Sequence, residues 1–305
     1  MSNPQEFHPD LRKIAWVLPR GAFTRKTLPI MRALSRLQGR RAPKNVEVAG
    51  LPSGANVWLH RPPQSQDTGC AFMWIHGGGY VIGSAAQDNR LCRRFARRLG
   101  VAVAAVDYRL APKHPYPAAL EDCYEALKWL AHHTDVDSRR IAVGGASAGG
   151  GLAAALALLA RDRGELAPLF QLLVYPMVDD RSSDRPGIEN PRYRMWNPNT
   201  NRLGWDSYLR GADVDAAVPS RHTDLSRLPP AWIGVGTLDP LRDEDIDYGR
   251  RLKEAGGACE IDIVPGAFHG FDAVAPFTAV SRAFFDRQCE ALRKAFAPWL
   301  IRTEG

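Results

Sequence analysis

The sequence contains few cysteines and no long apolar run. The cysteines are odd in number, lie far apart and never form a C-x-x-C pair; they are Cys70, Cys92, Cys123, Cys259 and Cys289. This pattern argues against a disulfide framework or a thiolate metal site and predicts reduced thiols. No apolar run approaches the roughly 20 residues that a membrane-spanning helix needs. The first ten residues have neither the basic nor the apolar region of a secretory signal, so we expect a cytoplasmic protein.

Most of the chain carries no excess of either charge. Residues 1–50 hold ten Lys or Arg and only three acids, which accounts for the whole formal net charge of +7. Within this segment Arg32, Arg36 and Arg40 recur every four residues, as on one face of a helix. The opposite face carries Ile30, Met31, Leu34 and Leu37. This spacing is typical of a solvated helix face, so we expect neither a nucleic-acid partner nor stable membrane insertion.

Strand-like and helix-like segments alternate through most of the chain. The predicted strands cover residues 45–50, 55–61, 70–77, 101–109, 140–145, 170–176, 231–237 and 259–266. The first two alternate weakly, as an antiparallel lead-in would, and the later ones are nearly continuous apolar runs. Helical segments are predicted at about 86–99, 117–133, 149–163, 241–256 and 277–297. The alternation predicts an α/β fold with a mostly parallel eight-stranded sheet flanked by helices.

One serine lies in an unusually glycine-rich stretch, "VGGASAGGG". Ser147 occupies the centre of a G-x-S-x-G pattern between a predicted strand and a predicted helix. Small neighbours allow a tight turn there, which would raise the serine hydroxyl above the sheet as a nucleophile. A phosphate-binding loop is disfavoured because no G-K-[ST] follows the glycines. The remaining alternative is a small-residue turn with an incidental serine.

A nucleophilic serine needs a base and an acid that orients the base. His269 in "PGAFHGF" follows the last predicted strand, and Asp239 in "GTLDPLRDE" follows the preceding one. Both would lie at the carboxyl edge of a parallel sheet, and the order Ser, Asp, His suits such a fold. Asp243 and Glu244 are rival candidates for the acid, although acids in the first turn of a helix often only complement its dipole.

Backbone N–H groups could stabilise an oxyanion at this edge. "WIHGGGY" places Gly77, Gly78 and Gly79 directly after a strand, where a backbone without side chains can turn its N–H groups inward. The Ala148 N–H, next to the serine, is the other expected donor. We interpret His76 as a residue that holds this glycine loop in shape rather than as a second base.

Five motifs in order, HGGGY, GASAGG, YRLAPKHPYPAALED, DPLRDE and FHGF, resemble the hormone-sensitive-lipase-like family of α/β-hydrolases. The resemblance covers about residues 45–297 and implies an α/β-hydrolase fold with a helical cap. It implies a catalytic triad of Ser147, Asp239 and His269, with Gly78, Gly79 and Ala148 as oxyanion donors. Ala146 and Lys113 differ from the residues usual at these positions in the family. The motifs therefore do not identify the subfamily or the substrate.

The same resemblance implies a domain division. Residues 45–177 and 229–305 would form the catalytic domain, and the N-terminal segment 1–44 would form the cap together with the insertion 178–228. We expect Trp16, Phe23, Met31 and Leu34 to pack against that insertion. The insertion also holds aromatic residues, Tyr193, Trp196, Trp205 and Tyr208.

The expected activity is carboxylesterase hydrolysis of short- to medium-chain acyl esters, with no metal or organic cofactor. The alternatives are a deacetylase or lactonase for one small metabolite, or a non-catalytic small-molecule receptor. Tyr80, Trp196 and Trp205 are candidate substrate-binding residues, although the insertion's aromatic residues could equally form its own core. The final strand is predicted at a sheet edge, where pairing with a second copy would give a homodimer.

Overall fold

A single sheet of eight strands forms the centre of the computed structural model, which describes residues 6–38, 42–44, 46–63, 68–133 and 135–300. The strands are β1 (Glu47–Gly50), β2 (Asn56–His60), β3 (Ala71–Ile75), β4 (Ala102–Asp107), β5 (Ile141–Ala146), β6 (Phe170–Val174), β7 (Ala231–Leu238) and β8 (Cys259–Phe268). Their order is β1-β2-β4-β3-β5-β6-β7-β8. The pairs β1–β2 and β2–β4 are antiparallel and all the other pairs are parallel. The predicted sheet and its antiparallel lead-in are confirmed, and β8 lies at an edge.

Helices cover both faces of this sheet. They are α1 (Arg12–Val17), α2 (Leu28–Gln38), α3 (Asn89–Leu99), α4 (Ala118–Ala131), α5 (Ala148–Arg163), α6 (Pro198–Leu209), α7 (Val214–Ala217), α8 (Arg242–Glu254), α9 (Phe271–Val274) and α10 (Ala279–Leu300). Alternate residues of β3 enter different cores: Met73 packs in the core with α4 and α5, and Trp74 in the core with α3 and α10. Burial on both faces explains why the central strands read as continuous apolar runs.

Local sequence signals fix several helix ends. Gly100 and Gly164 end α3 and α5 in left-handed conformations, with φ of 69° and 70°. Glycine adopts this region without a Cβ penalty, so both positions stop a helix cleanly. At the start of α6, the Asn197 side chain accepts a hydrogen bond from the Thr200 N–H at 2.9 Å, and Pro198 occupies the first helical position.

The first part of the N-terminal segment packs on the catalytic sheet. Leu11 and Ala15 are fully buried in the core shared with β8 and α10. The Asp10 carboxylate accepts a hydrogen bond from the Val280 N–H at 3.0 Å, and the His8 N–H donates to the Gly266 carbonyl at 2.9 Å. Because positions 11 and 15 form the buried face of this turn, Trp16 points to solvent and is 80% exposed. The prediction that Trp16 packs against the insertion is therefore wrong.

The next part of the segment does reach the insertion. The ring of Phe23 is 3% exposed and meets Trp196 edge-on, with centroids 5.7 Å apart. In α2, Met31 is partly buried, and the Arg32 guanidinium donates to the carbonyls of Val81 and Ala111. The Arg32 side chain therefore bonds to the catalytic domain and does not belong to the solvated helix face that the spacing predicted. The predictions for the side chains of Leu34, Arg36, Leu37 and Arg40 lie outside the described residues.

The insertion after β6 is helical and irregular. It contains a short 3-10 helix (Ser182–Asp184), α6, α7 and a second 3-10 helix (Pro219–Arg221) before the chain returns to β7. None of the five cysteines pairs with another. Within the described ranges, no helix combines the length and the apolar character that crossing a membrane would require.

Candidate active site

Ser147 lies in a strained turn between β5 and α5. Its φ of +56° and ψ of −121° lie in a region that residues with a Cβ rarely adopt, at a cost on the order of 1–3 kcal/mol. Backbone hydrogen bonds hold the turn: the Ser147 N–H donates to the Val174 carbonyl at 2.9 Å, and the Ser147 carbonyl accepts from the Met177 N–H at 3.0 Å. The structure therefore has the sharp strand-to-helix turn that the G-x-S-x-G pattern predicts.

Gly149, two residues after this serine, allows the turn to lie close to a neighbouring strand. A Cβ built on Gly149 would lie 2.1 Å from the carbonyl oxygen of Ile75 at the end of β3. No side chain fits there, because backbone atoms cannot move aside without disturbing the sheet. Close approach, rather than an unusual φ, explains glycine at this position.

His269 connects the serine to an acid. Its Nε2 is 2.9 Å from the Ser147 hydroxyl oxygen, and its Nδ1 is 2.8 Å from Oδ2 of Asp239. The other carboxylate oxygen of Asp239 accepts the Leu241 N–H at 2.9 Å. All three residues are at most 5% exposed. With Nδ1 protonated, the ring donates to Asp239 and accepts from Ser147, which is the arrangement that activates a serine.

The two rival acids point elsewhere. Asp243 is exposed and pairs with Arg242. Glu244 is buried, and one of its carboxylate oxygens accepts the N–H groups of Val178 and Asp179 at 2.8 and 3.1 Å. Burial raises the pKa of Glu244 to about 8. Of the three candidate acids, only Asp239 contacts the histidine.

The glycine loop after β3 approaches the serine turn from the other side. Gly78 and Gly79 have φ of +125° and +59°. Among the described residues, no backbone acceptor receives their N–H groups. Ala148 is the first residue of α5, where the N–H has no partner within the helix. These amides are the ones the sequence predicted as donors to an oxyanion.

His76 supports this loop. Its ring stacks on Tyr108 with centroids 4.2 Å apart, and its Nδ1 is 2.8 Å from the Gly77 carbonyl. Burial lowers the pKa of His76, which favours the neutral ring. This geometry agrees with the interpretation of His76 as a support for the loop.

Trp196 forms a roof over the site. Its ring is 3% exposed, and the centroid lies 5.5 Å from that of His269. A Cβ on Gly79 would meet the Trp196 ring at 2.5 Å. The indole N–H donates to Asn201, whose amide in turn donates to Ser182 and Ser183. Asn201 could not be recognised from the sequence, because no local pattern reveals a polar side chain that fixes a ring five residues away.

Tyr80 and Trp205 take different positions from Trp196. Tyr80 stacks on Tyr208 at 4.1 Å, contacts Trp205 at 5.2 Å and donates its hydroxyl to the Met177 carbonyl at 3.3 Å. Each of these rings is at most 2% exposed. The cluster joins the glycine loop to α6, so the structure gives Tyr80 and Trp205 a packing role between the catalytic sheet and the insertion.

Known proteins share this architecture. The sequence model of a family described as alpha/beta hydrolase fold matches residues 72–273. An ethyl acetate hydrolase from Pseudomonas putida is 38% identical over 228 residues, which are 70% of this chain and 70% of that protein. A bacterial heroin esterase aligns with a TM-score of 0.83 and 35% identity, covering 95% of this chain and 98% of the other. Esterase LipW from Mycobacterium marinum aligns with a TM-score of 0.84 and 36% identity, covering 97% and 98%.

Proposed function

Because this chain belongs to the hormone-sensitive-lipase-like family of α/β-hydrolases and resembles several named ester hydrolases, we propose that it cleaves small esters of short to medium acyl chains through Ser147, His269 and Asp239. The observation that carries this proposal is the buried chain of hydrogen bonds from Asp239 through His269 to the Ser147 hydroxyl. Such a chain activates a serine without any other group.

The reaction has two halves. The Ser147 oxygen attacks the acyl carbon while its proton moves to Nε2 of His269, and Asp239 stabilises the imidazolium that forms. His269 then gives this proton to the departing alcohol, which leaves an acyl group on Ser147. In the second half a water gives a proton to His269 and attacks the acyl group. The acid is released and Ser147 regains its proton.

The amides of Gly78, Gly79 and Ala148 stabilise the negative oxygen that develops in both halves. They are backbone donors fixed by the glycine loop and by the start of α5, so little reorganisation is needed when charge appears. Each such donor is worth on the order of 100- to 1000-fold in rate. The N-terminus of α5 adds a favourable dipole at the same place.

The positions of the cap side chains are a second argument for a small substrate. Trp196 closes the space above His269, and Phe23 backs the tryptophan from the N-terminal segment. We assign the cap to the insertion 178–228 together with the Phe23 region of residues 1–44. The Pseudomonas relative is named for ethyl acetate, whose acyl group has two carbons, and this favours the short end of the range.

The test is hydrolysis of aryl esters with acyl chains of two to twelve carbons, measured for the wild type and for Ser147→Ala side by side. We expect activity only in the wild type, highest for short or medium chains. A folded wild type that cleaves none of these esters would contradict the substrate class. A folded Ser147→Ala protein that retains turnover would contradict the nucleophile.

A further inference from the structure

A tyrosine and a second carboxylate lie next to His269, and the reaction described above uses neither. The Tyr175 ring faces the imidazole at a centroid distance of 4.8 Å and an angle of 61°. Its hydroxyl donates a hydrogen bond of 2.7 Å to Oδ1 of Asp272. Asp272 belongs to α9 and lies three residues after the histidine. The tyrosine thus joins the histidine loop to the end of β6.

The backbone of Tyr175 is held in an unfavourable conformation. Its φ is +35°, in the left-handed region that costs a residue with a Cβ about 1 kcal/mol or more. Its N–H donates to the Gly234 carbonyl at 2.7 Å, and the side chain is 3% exposed. Strain of this kind persists only where surrounding contacts fix it, and here those contacts place the ring against His269.

Carboxyl groups lie on several sides of this pair. Burial raises the pKa of Asp272, and the hydrogen bond from Tyr175 and the nearby charge of His269 offset only part of that rise. Asp88 also faces this region, accepts the Trp74 indole N–H at 2.8 Å, and has its pKa raised to about 6 by burial. With Asp239, three carboxyl groups surround the Tyr175 side chain.

We propose that Tyr175 and Asp272 form a second support for His269, in which the tyrosine ring fixes the orientation of the imidazole and the Asp272 carboxylate stabilises the imidazolium. Both are positioning residues, and their assignment rests on the proposed function. When the Ser147 proton moves to Nε2 of His269, the Tyr175 hydroxyl keeps its own proton throughout. Asp239 holds Nδ1, and the Tyr175–Asp272 pair acts on the ring through packing and through space.

Two substitutions separate these contributions. Asp272→Asn keeps the shape of the side chain and an oxygen that can accept from Tyr175, but it removes the negative charge. We expect the acid limb of the pH profile of kcat/KM to move to lower pH by about half a unit, because the imidazolium loses a stabilising charge.

Tyr175→Phe keeps the ring and removes the hydrogen bond. We expect kcat to fall about tenfold while KM changes less than twofold.

The matched control is Asp243→Asn, which removes an exposed acid and should leave the pH profile in place. Titration of the histidine ring by NMR in the resting Asp272→Asn protein, assigned with His269→Ala, should show the same shift without turnover. If the wild type is active, His269→Ala is inactive, and the Asp272→Asn profile overlays the wild type, this inference is overturned while the proposed function stands. Wild-type kcat in Tyr175→Phe would overturn the role of the Tyr175–Asp272 hydrogen bond in holding the ring against the imidazole. An active His269→Ala protein would instead overturn the proposed function.

Discussion

Glu244 should make the folding stability fall as the pH rises, and Glu244→Gln should remove that dependence. The carboxyl group is buried and its pKa is raised from 4.5 to about 8. Between these two values the unfolded chain releases the proton and the folded protein keeps it. The unfolded state then binds fewer protons, so the free energy of unfolding falls as pH rises through this window. At about 1.36 kcal/mol per pKa unit, the shift amounts to at most about 5 kcal/mol.

Glutamine can keep the two hydrogen bonds that this carboxyl accepts. The Gln oxygen can take the N–H groups of Val178 and Asp179, and the amide stays uncharged as the pH rises. Urea unfolding of the two proteins from about pH 5 to pH 8 should show Glu244→Gln gaining steadily on the wild type. Asp245, whose pKa is also raised by burial and by Glu244, should titrate more normally in the variant and add to the same trend.

Two controls sharpen this measurement. Asp243→Asn changes an exposed neighbour and should stay within about 0.5 kcal/mol of the wild type at every pH. Glu244→Ala removes the acceptor of two buried N–H groups and should lose about 2 kcal/mol or more at low pH. Parallel stability curves for the wild type and Glu244→Gln over the whole range would show that the reasoning about Glu244 is wrong.

Three further substitutions test the site. Asp239→Asn should lower kcat by about 10⁴-fold because the histidine loses its orienting carboxylate, whereas Asp243→Asn should have little effect; the reverse ranking in ester hydrolysis would move the acid role. Gly79→Ala should lower kcat by about 100-fold or more, since its Cβ would meet Trp196 at 2.5 Å at a φ of +59°; wild-type kinetics would argue against this loop as the oxyanion site. Trp196→Ala should shift the preferred acyl length upward by opening the roof, and an unchanged acyl-length profile would place the acyl group elsewhere.

The fold and the geometry of the triad could be predicted because each rests on a local signal. The central strands are apolar on both faces, and the helices between them have the right length and spacing, so the parallel sheet follows from the pattern. The serine, aspartate and histidine each follow a strand directly. Since parallel strands end at one edge of the sheet, these three residues had to lie near one another.

The cap was harder to predict because its packing depends on distant partners. Trp16 and Phe23 are both aromatic residues of the N-terminal segment, yet one is exposed and the other is buried against Trp196. Burial of Leu11 and Ala15 against the sheet decides the orientation of Trp16, and no periodicity in a six-residue helix reveals it. Likewise, Trp196 and Trp205 look alike in sequence. The Asn201 hydrogen bond to Trp196 and the ring contact between Tyr80 and Trp205 are what distinguish their positions.

The acids near the start of α8 show most clearly why sequence alone left alternatives open. Asp239, Glu244 and Asp245 lie within seven residues, and all three are buried. Both oxygens of Asp239 have partners, namely the Leu241 N–H and the His269 ring. Neither oxygen of Asp245 meets a hydrogen-bond donor in the part of the chain that the structure describes, and its pKa is strongly raised. One of these acids orients a base, and the others stay protonated. The difference comes from where a few backbone N–H groups point around one helical turn. Residue types and their spacing do not encode those directions.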